Sequence, residues 1–173
     1  VALLQEAIQR YLFESNIFET CSQESLVDSL PLLTNVFRTI ATNEVASTID
    51  RLQHIATVGD TWVGGKTRMY WLLRGMLRAQ QIENVEGVLV DQIIENANVI
   101  IQQETSTADR ITPIMVGSLI KGGTLLKVQQ AKLQTPILAY DLNSDRVFVV
   151  DSWTLFTLRR QRESISRALK EAV

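Results

Sequence analysis

Apolar positions along the chain recur first at helical spacing. Leu3, Leu4, Ala7, Ile8, Tyr11 and Leu12 fall on one face of a 3.6-residue period, which predicts an amphipathic helix over residues 1–14. Polar residues around Ser22 to Ser25 interrupt it. Residues 26–41 return to helical period through Leu32, Leu33, Val36, Phe37 and Ile40, with Pro31 in an early turn, where its missing N–H costs nothing. Thr42 or Asn43 is then expected to cap a further helix carrying Val45, Ile49, Leu52 and Ile55.

Gly59, Gly64 and Gly65 bracket a loop, and a longer helix is expected over residues 66–81. Gly87 and the run Val88-Leu89-Val90 predict a short strand, after which residues 91–103 are helical through Ile94, Ala97 and Ile101. The last third changes character. Thr112-Pro113 reads as an N-cap with proline in the first helical position, and Gly122-Gly123 as a stop. Residues 124–128 are expected as a strand. Residues 137–140 and 147–150 flank Asn143-Ser144-Asp145, the signature of a hairpin. Ser152 is expected to cap a closing helix through Leu155, Leu158, Ile165 and Leu169. With no repeat, low-complexity tract or Pro/Ser linker, residues 1–173 read as a single, mostly helical α+β domain. The chain opens on Val1 directly in a periodic segment and ends in another, which suggests a domain excised from a longer protein.

Composition narrows the function classes. At 46% hydrophobic and 21% charged the chain can bury a core. It holds no apolar run of membrane-spanning length and no signal-peptide pattern, and Cys21 is its one cysteine. An intrachain disulfide is therefore impossible, and a cytoplasmic, intracellular protein without a membrane partner is expected. His54 is the one histidine, so a Cys/His zinc site cannot form within one chain. No Cys or Ser stands beside His54 in a catalytic pattern, and it reads as structural. Asp141 and Asp151 at the two ends of the hairpin invite comparison with metal-dependent nucleases. The lysine such enzymes place two residues after the acid is replaced by Trp153, so turn and cap roles are expected instead. Nothing marks the chain as an enzyme, and no catalytic residue, metal ligand or cofactor is assigned. Trp153, Leu155 and Phe156 read as core, and Arg159, Arg160 and Arg162 as a solvated helix end.

Charge is what singles out one segment. The net charge is −2, but residues 1–60 carry eight acids against three bases, whereas residues 61–81 carry Lys66, Arg68, Arg74 and Arg78 and no acid. Lys66, Tyr70, Arg74 and Arg78 stand four apart and form one helical stripe, with Arg68 beside it. Such side chains could reach phosphates or base edges, which makes these five residues the candidate nucleic-acid-binding set. The competing expectation is a basic face that packs against the acidic N-terminal third. Within the same region, residues 60–67 come close to a phosphate-binding loop ending in Gly64-Gly65-Lys66-Thr67. Asp60, however, occupies the position of its first glycine.

The run from Lys66 to Ile82, followed by Gly87-Val88-Leu89-Val90, resembles the end of a domain of the winged-helix superfamily. The resemblance covers residues 30–90. It implies a recognition helix with Met69, Leu72, Leu73, Met76 and Leu77 facing inward, Ile82 plugging the core, and Glu83 to Glu86 leading into a β-wing. The long glycine-rich loop and the acids Glu83 and Glu86 depart from the pattern. A winged-helix-like core over 30–90 would then be followed by an α+β hairpin segment over 107–173 and a closing C-terminal helix. The apolar faces of the terminal helices would favour a homodimer or docking on a parent chain. The expected function is a noncatalytic domain that binds nucleic acid or a protein partner through the helix 66–81. The alternatives are a nucleotide- or phosphate-binding domain using Gly64-Gly65-Lys66-Thr67, and a structural protein–protein interaction or oligomerisation domain.

Overall fold

A computed structural model describes residues 30–133 and 135–173. The expected helix over 1–14, the polar break at Ser22 to Ser25 and Cys21 lie outside them. Helix α1 runs without interruption from Leu30 to Ala56. The cap expected at Thr42 or Asn43 is absorbed, because the Thr42 hydroxyl donates to the Arg38 carbonyl one turn back (2.9 Å) and so satisfies itself inside the helix. A loop with a short 3-10 turn at Val63–Gly65 leads to α2 (Arg68–Arg78) and a second 3-10 turn, Gln80–Glu83. Strand β1 (Val88–Leu89) passes directly into α3 (Val90–Thr105). Helix α4 (Pro113–Val116) widens into a π-turn at Gly117–Lys121. Then come α5 (Thr124–Lys132), β2 (Leu138–Asp141), β3 (Arg146–Val149) and α6 (Ser152–Ala172). The mostly helical α+β class expected from the sequence is what the chain adopts.

Helix α2 occupies the centre. Thr67 starts it by accepting a hydrogen bond from the Tyr70 N–H (3.0 Å), while its own hydroxyl donates to the Ala56 carbonyl at the end of α1. From Met69 to Leu77 every residue is buried, Arg74 included. The contact with α3 sets how tightly the layers close. A Cβ on Gly75 would lie 2.4 Å from the Ile93 carbonyl oxygen and 2.8 Å from the Ala97 nitrogen, so the two backbones touch where any other residue would hold them apart. The Asn96 amide donates to the Gly75 carbonyl across this contact (3.2 Å).

On another side, Met69, Leu72, Leu73 and Met76 meet Ile93, Ile120, Leu125, Leu138 and Val147, so the sheet and α5 close the core beneath α2. The sheet is antiparallel in the order β1-β3-β2. Leu138 faces Val149 and Tyr140 faces Val147 in the hairpin, and Val88 faces Val147 from the other edge. Leu138, Val147, Val149 and Val88 are buried, the alternation expected of a sheet packed on one face.

Three expectations need correction. Residues 124–128 form helix rather than strand, because Leu125 and Gln129 are the residues of α5 that face the core and they stand a helical four apart. Gln129 is fully buried. It accepts from the Ile137 and Leu138 N–H groups (2.9 and 2.8 Å) and donates to the Leu138 carbonyl (2.8 Å), supplying bonds to an edge strand. The cap of α6 is Asp151, one residue before Ser152; its carboxylate accepts from the Thr154 N–H (2.8 Å) and hydroxyl (2.6 Å). The strand expected to open a wing does not turn back on itself: β1 runs into α3 and takes its partner, β3, from the distant hairpin.

Gly75→Ala should destabilise the fold by about 1–3 kcal/mol through overpacking, although alanine is the better helix former. A denaturant midpoint equal to or above that of the parent protein would show that the two backbones are not in contact. Gln129→Leu, which leaves three buried backbone groups without partners, should cost about 2–5 kcal/mol in the same measurement.

Candidate nucleic-acid interface

The basic stripe survives as a chain of contacts, and it points inward. Lys66 lies half-buried with Nζ 5.6 Å from the centre of the Tyr70 ring. Tyr70 is 1% exposed, and its hydroxyl accepts from Arg74 Nη1 (2.8 Å). Arg74 is 8% exposed and donates from Nη2 to Glu104 of α3 (3.0 Å). Only the ends of α2 reach solvent. Arg78 is exposed with a single long bond to Gln103 (3.4 Å), and Arg68 lies over the Trp62 ring, 5.3 Å from its centre. Lys66, Tyr70, Arg74 and Arg78 are thus brought together along one line, whereas Arg68 stands apart on the loop side.

Arg74 and Arg78, the C-terminal half of that line, border a groove of about 440 Å³ whose other wall is α6, while Lys66 and Tyr70 line a neighbouring recess. Arg162, Arg167 and Lys170 descend from α6, Gln103 and Glu104 from the end of α3, and Leu77 and Ile100 lie at the bottom. Five cations, Arg74, Arg78, Arg162, Arg167 and Lys170, face two carboxylates, Glu104 and Glu163. The recess continues past Arg162 and Glu163 into a second hollow carrying Arg159 and Arg160. From Arg162 to Lys170 the cationic track is roughly 12 Å long at the α-helical rise.

Ion pairing neutralises the inner part of the groove and leaves the rim free. Arg74 and Lys170 share one oxygen of Glu104, each at 3.0 Å, and Arg162 pairs with Glu83 (2.9 Å). Burial pushes the Glu104 carboxyl up, but the hydrogen bonds and charges of Lys170 and Arg74 outweigh it and hold the group below the ordinary glutamate range. Among the described residues Arg78 and Arg167 have no ion pair. The buried Arg74 Nε and Arg162 Nη1 have no hydrogen-bond partner, so the guanidinium charge of the groove is incompletely met.

The glycine loop borders a neighbouring recess of about 450 Å³, which shares Glu104 and Lys170 with the groove. Gly64 and Gly65 both take positive φ (61° and 73°), and the Trp71 indole donates to the Val63 carbonyl (3.2 Å), so the loop is folded onto α2. It follows helix α1, where a phosphate-binding loop follows a strand, and the sheet is antiparallel. The Thr67 hydroxyl is spent on Ala56 and Tyr70 and is not free for a metal. The alternative assigned to Gly64-Gly65-Lys66-Thr67 thus lacks the geometry that would support it.

The other polar residues singled out in the sequence have local roles. His54 is exposed on α1 beside Asp50. Asp141 braces the hairpin turn, accepting from the Asn143 N–H and the Ser144 hydroxyl. Asp151 caps α6 and pairs with Arg51 of α1 (2.9 Å). Among the described residues no cluster of His, Cys, Asp or Glu could hold a metal ion, and no helix is long and apolar enough to cross a membrane.

Sequence reasoning passed over Arg167 and Lys170 and read Arg162 as part of a solvated helix end, whereas it is half-buried in the groove and paired with Glu83. The signal was present: residues 159–170 hold five bases and one acid, the same imbalance that singled out residues 61–81.

Glu104→Gln should leave Arg74 buried without its counter-charge and lower stability by about 1–3 kcal/mol at neutral pH. Because the folded-state pKa of Glu104 lies below its unfolded value, its contribution is complete above the ordinary glutamate range and vanishes as pH falls through the folded value. The gap between variant and parent should therefore close as pH falls below the ordinary glutamate range, which urea melts at a series of pH values will read; a constant gap would remove Glu104 as the titrating partner.

No protein-family model, curated protein or solved structure matches the chain, so the chemistry of the groove is what bears on function.

Proposed function

We propose that this chain is a noncatalytic binding domain for nucleic acid, which it holds by the phosphates along the groove between α2, α3 and α6. The observation that carries the reading is convergence: five cationic side chains from two helices meet in one recess that contains only two carboxylates. The overall charge is −2, so this concentration is local and not a consequence of composition. Arginine suits the task, since its planar fork of donors matches phosphate geometry. The cations that would meet phosphate first are Arg78 and Arg167 at the rim, with Lys170 behind them. The stripe on α2 contributes through Arg74 and Arg78, with the Tyr70 hydroxyl holding Arg74 in place.

This assignment moves the working surface from one helix face to a groove. Helix α2 is buried from Met69 to Leu77 and offers no protruding face to a partner. A protein partner with an acidic segment would use the same charges, and the binding experiment separates the two.

Affinity for labelled oligonucleotides, single-stranded and duplex together, should fall steeply with salt, because each neutralised phosphate releases counterions. Arg78→Ala with Arg167→Ala should weaken binding and reduce the slope of log K against log salt by about one to two units. Both positions are exposed, so the fold should be kept, and circular dichroism will check it. Absence of binding, binding indifferent to salt, or an acidic peptide bound in preference to any oligonucleotide would overturn the reading.

A further inference from the structure

We infer that the groove selects single-stranded over duplex nucleic acid, because the recess beside it accepts an unpaired base against Trp62. The inference rests on the phosphate-binding reading of the groove. The two recesses join at Glu104 and Lys170, are of similar size, and differ in charge. The groove has five cations against two carboxylates. The neighbouring recess has two of each, Lys66 and Lys170 against Glu104 and Asp109. A second phosphate gains little there. A flat, uncharged, aromatic group gains more, since the wall includes Trp62.

Trp62 is built to hold still. Its backbone N–H donates to the Lys66 carbonyl (2.7 Å), closing the loop, and the Arg68 guanidinium covers its ring at 5.3 Å. The ring is half-buried and lines the recess, whereas Tyr70 and Trp71 are 1% and 2% exposed and serve as its back wall. The same recess is lined by Thr107, whose hydroxyl donates to the Asp109 carboxylate (3.0 Å) and accepts from the Asp109 backbone N–H (3.2 Å), and the carboxylate offers acceptors for the amino edge of a base. Stacking on an aromatic side chain tolerates any base, because every base has a π-face. In a duplex the bases are paired and stacked on one another, so the recess stays empty and only rim contacts to phosphate remain.

The test is an anisotropy titration of the whole chain with one labelled strand, its duplex, and an abasic strand carrying the same phosphates. The single strand should bind about tenfold more tightly than either of the others, the scale of one base–aromatic stack, and should quench tryptophan fluorescence. Trp62→Ala should erase both the preference and the quenching while keeping the salt dependence; Trp62→Phe, which keeps a ring, should retain an intermediate preference. The abasic strand needs no variant and so stands even if Trp62→Ala fails to fold. Equal binding of the three ligands with a steep salt slope overturns the base recess and leaves the phosphate groove intact. A preference that survives in Trp62→Ala does the same. If none of the ligands binds, the phosphate reading falls and takes the inference with it.

Discussion

The contact between α2 and α3 at Gly75 is the constraint on which the rest of the structure turns. With no side chain between them the two backbones meet, and α2 sinks far enough into the molecule to be covered on all sides. Two consequences follow from that depth. Its apolar residues can serve α1, the sheet and α5 at once, which explains how one eleven-residue helix anchors so much of the fold. And Arg74, in the middle of that helix, is carried inside with its charge. An isolated guanidinium would be costly there, so the structure surrounds it with the Tyr70 hydroxyl and the Glu104 carboxylate.

Glu104 then becomes the organising acid of the groove. It stands at the end of α3, where the chain is about to leave the helix, and it also receives Lys170 from α6. One carboxylate thereby ties three helices at the point where the groove and its neighbouring recess meet. Helix α6 is fixed at its other end by Asp151, which caps it and pairs with Arg51. Its middle is held by Glu83, whose backbone carbonyl accepts from Arg159 and whose side chain pairs with Arg162. The backbone of α6 departs from helical geometry at Gln161, between those two arginines. These ties account for the inner cations. Arg78 and Arg167 lie beyond them, which is why positive charge persists at the rim.

How much of this could be read along the chain depends on the range of the interactions involved. The helical class, the strand at Val88-Leu89, the hairpin around Asn143-Ser144-Asp145 and the closing helix were legible, because periodicity and turn chemistry are local properties. So was the four-residue spacing of Lys66, Tyr70, Arg74 and Arg78, of which the first three contact one another in turn and Arg78 borders the same groove as Arg74. Residues 124–128 were read as strand because five residues, Leu125, Leu126 and Val128 among them, are too few to reveal a period. Gln129, just beyond the run, shows it only through its bonds to Ile137 and Leu138.

The chain alone thus determined the mostly helical class, the hairpin turn and which residues share a helix face, but not the helix over Thr124–Lys132 or the continuity of α1. Tertiary structure alone decided which way those faces point. A stripe of Lys, Tyr and Arg on an isolated helix would turn to water; here Gly75 draws α2 inward, and Glu104 makes burial of the stripe tolerable. It also decided that arginines near the C-terminus meet that stripe across one groove, and that β1 pairs with β3 rather than forming a wing. These are choices between partners distant in the sequence. They are settled by packing and by the cost of leaving charge or backbone groups unmet, neither of which a local pattern records.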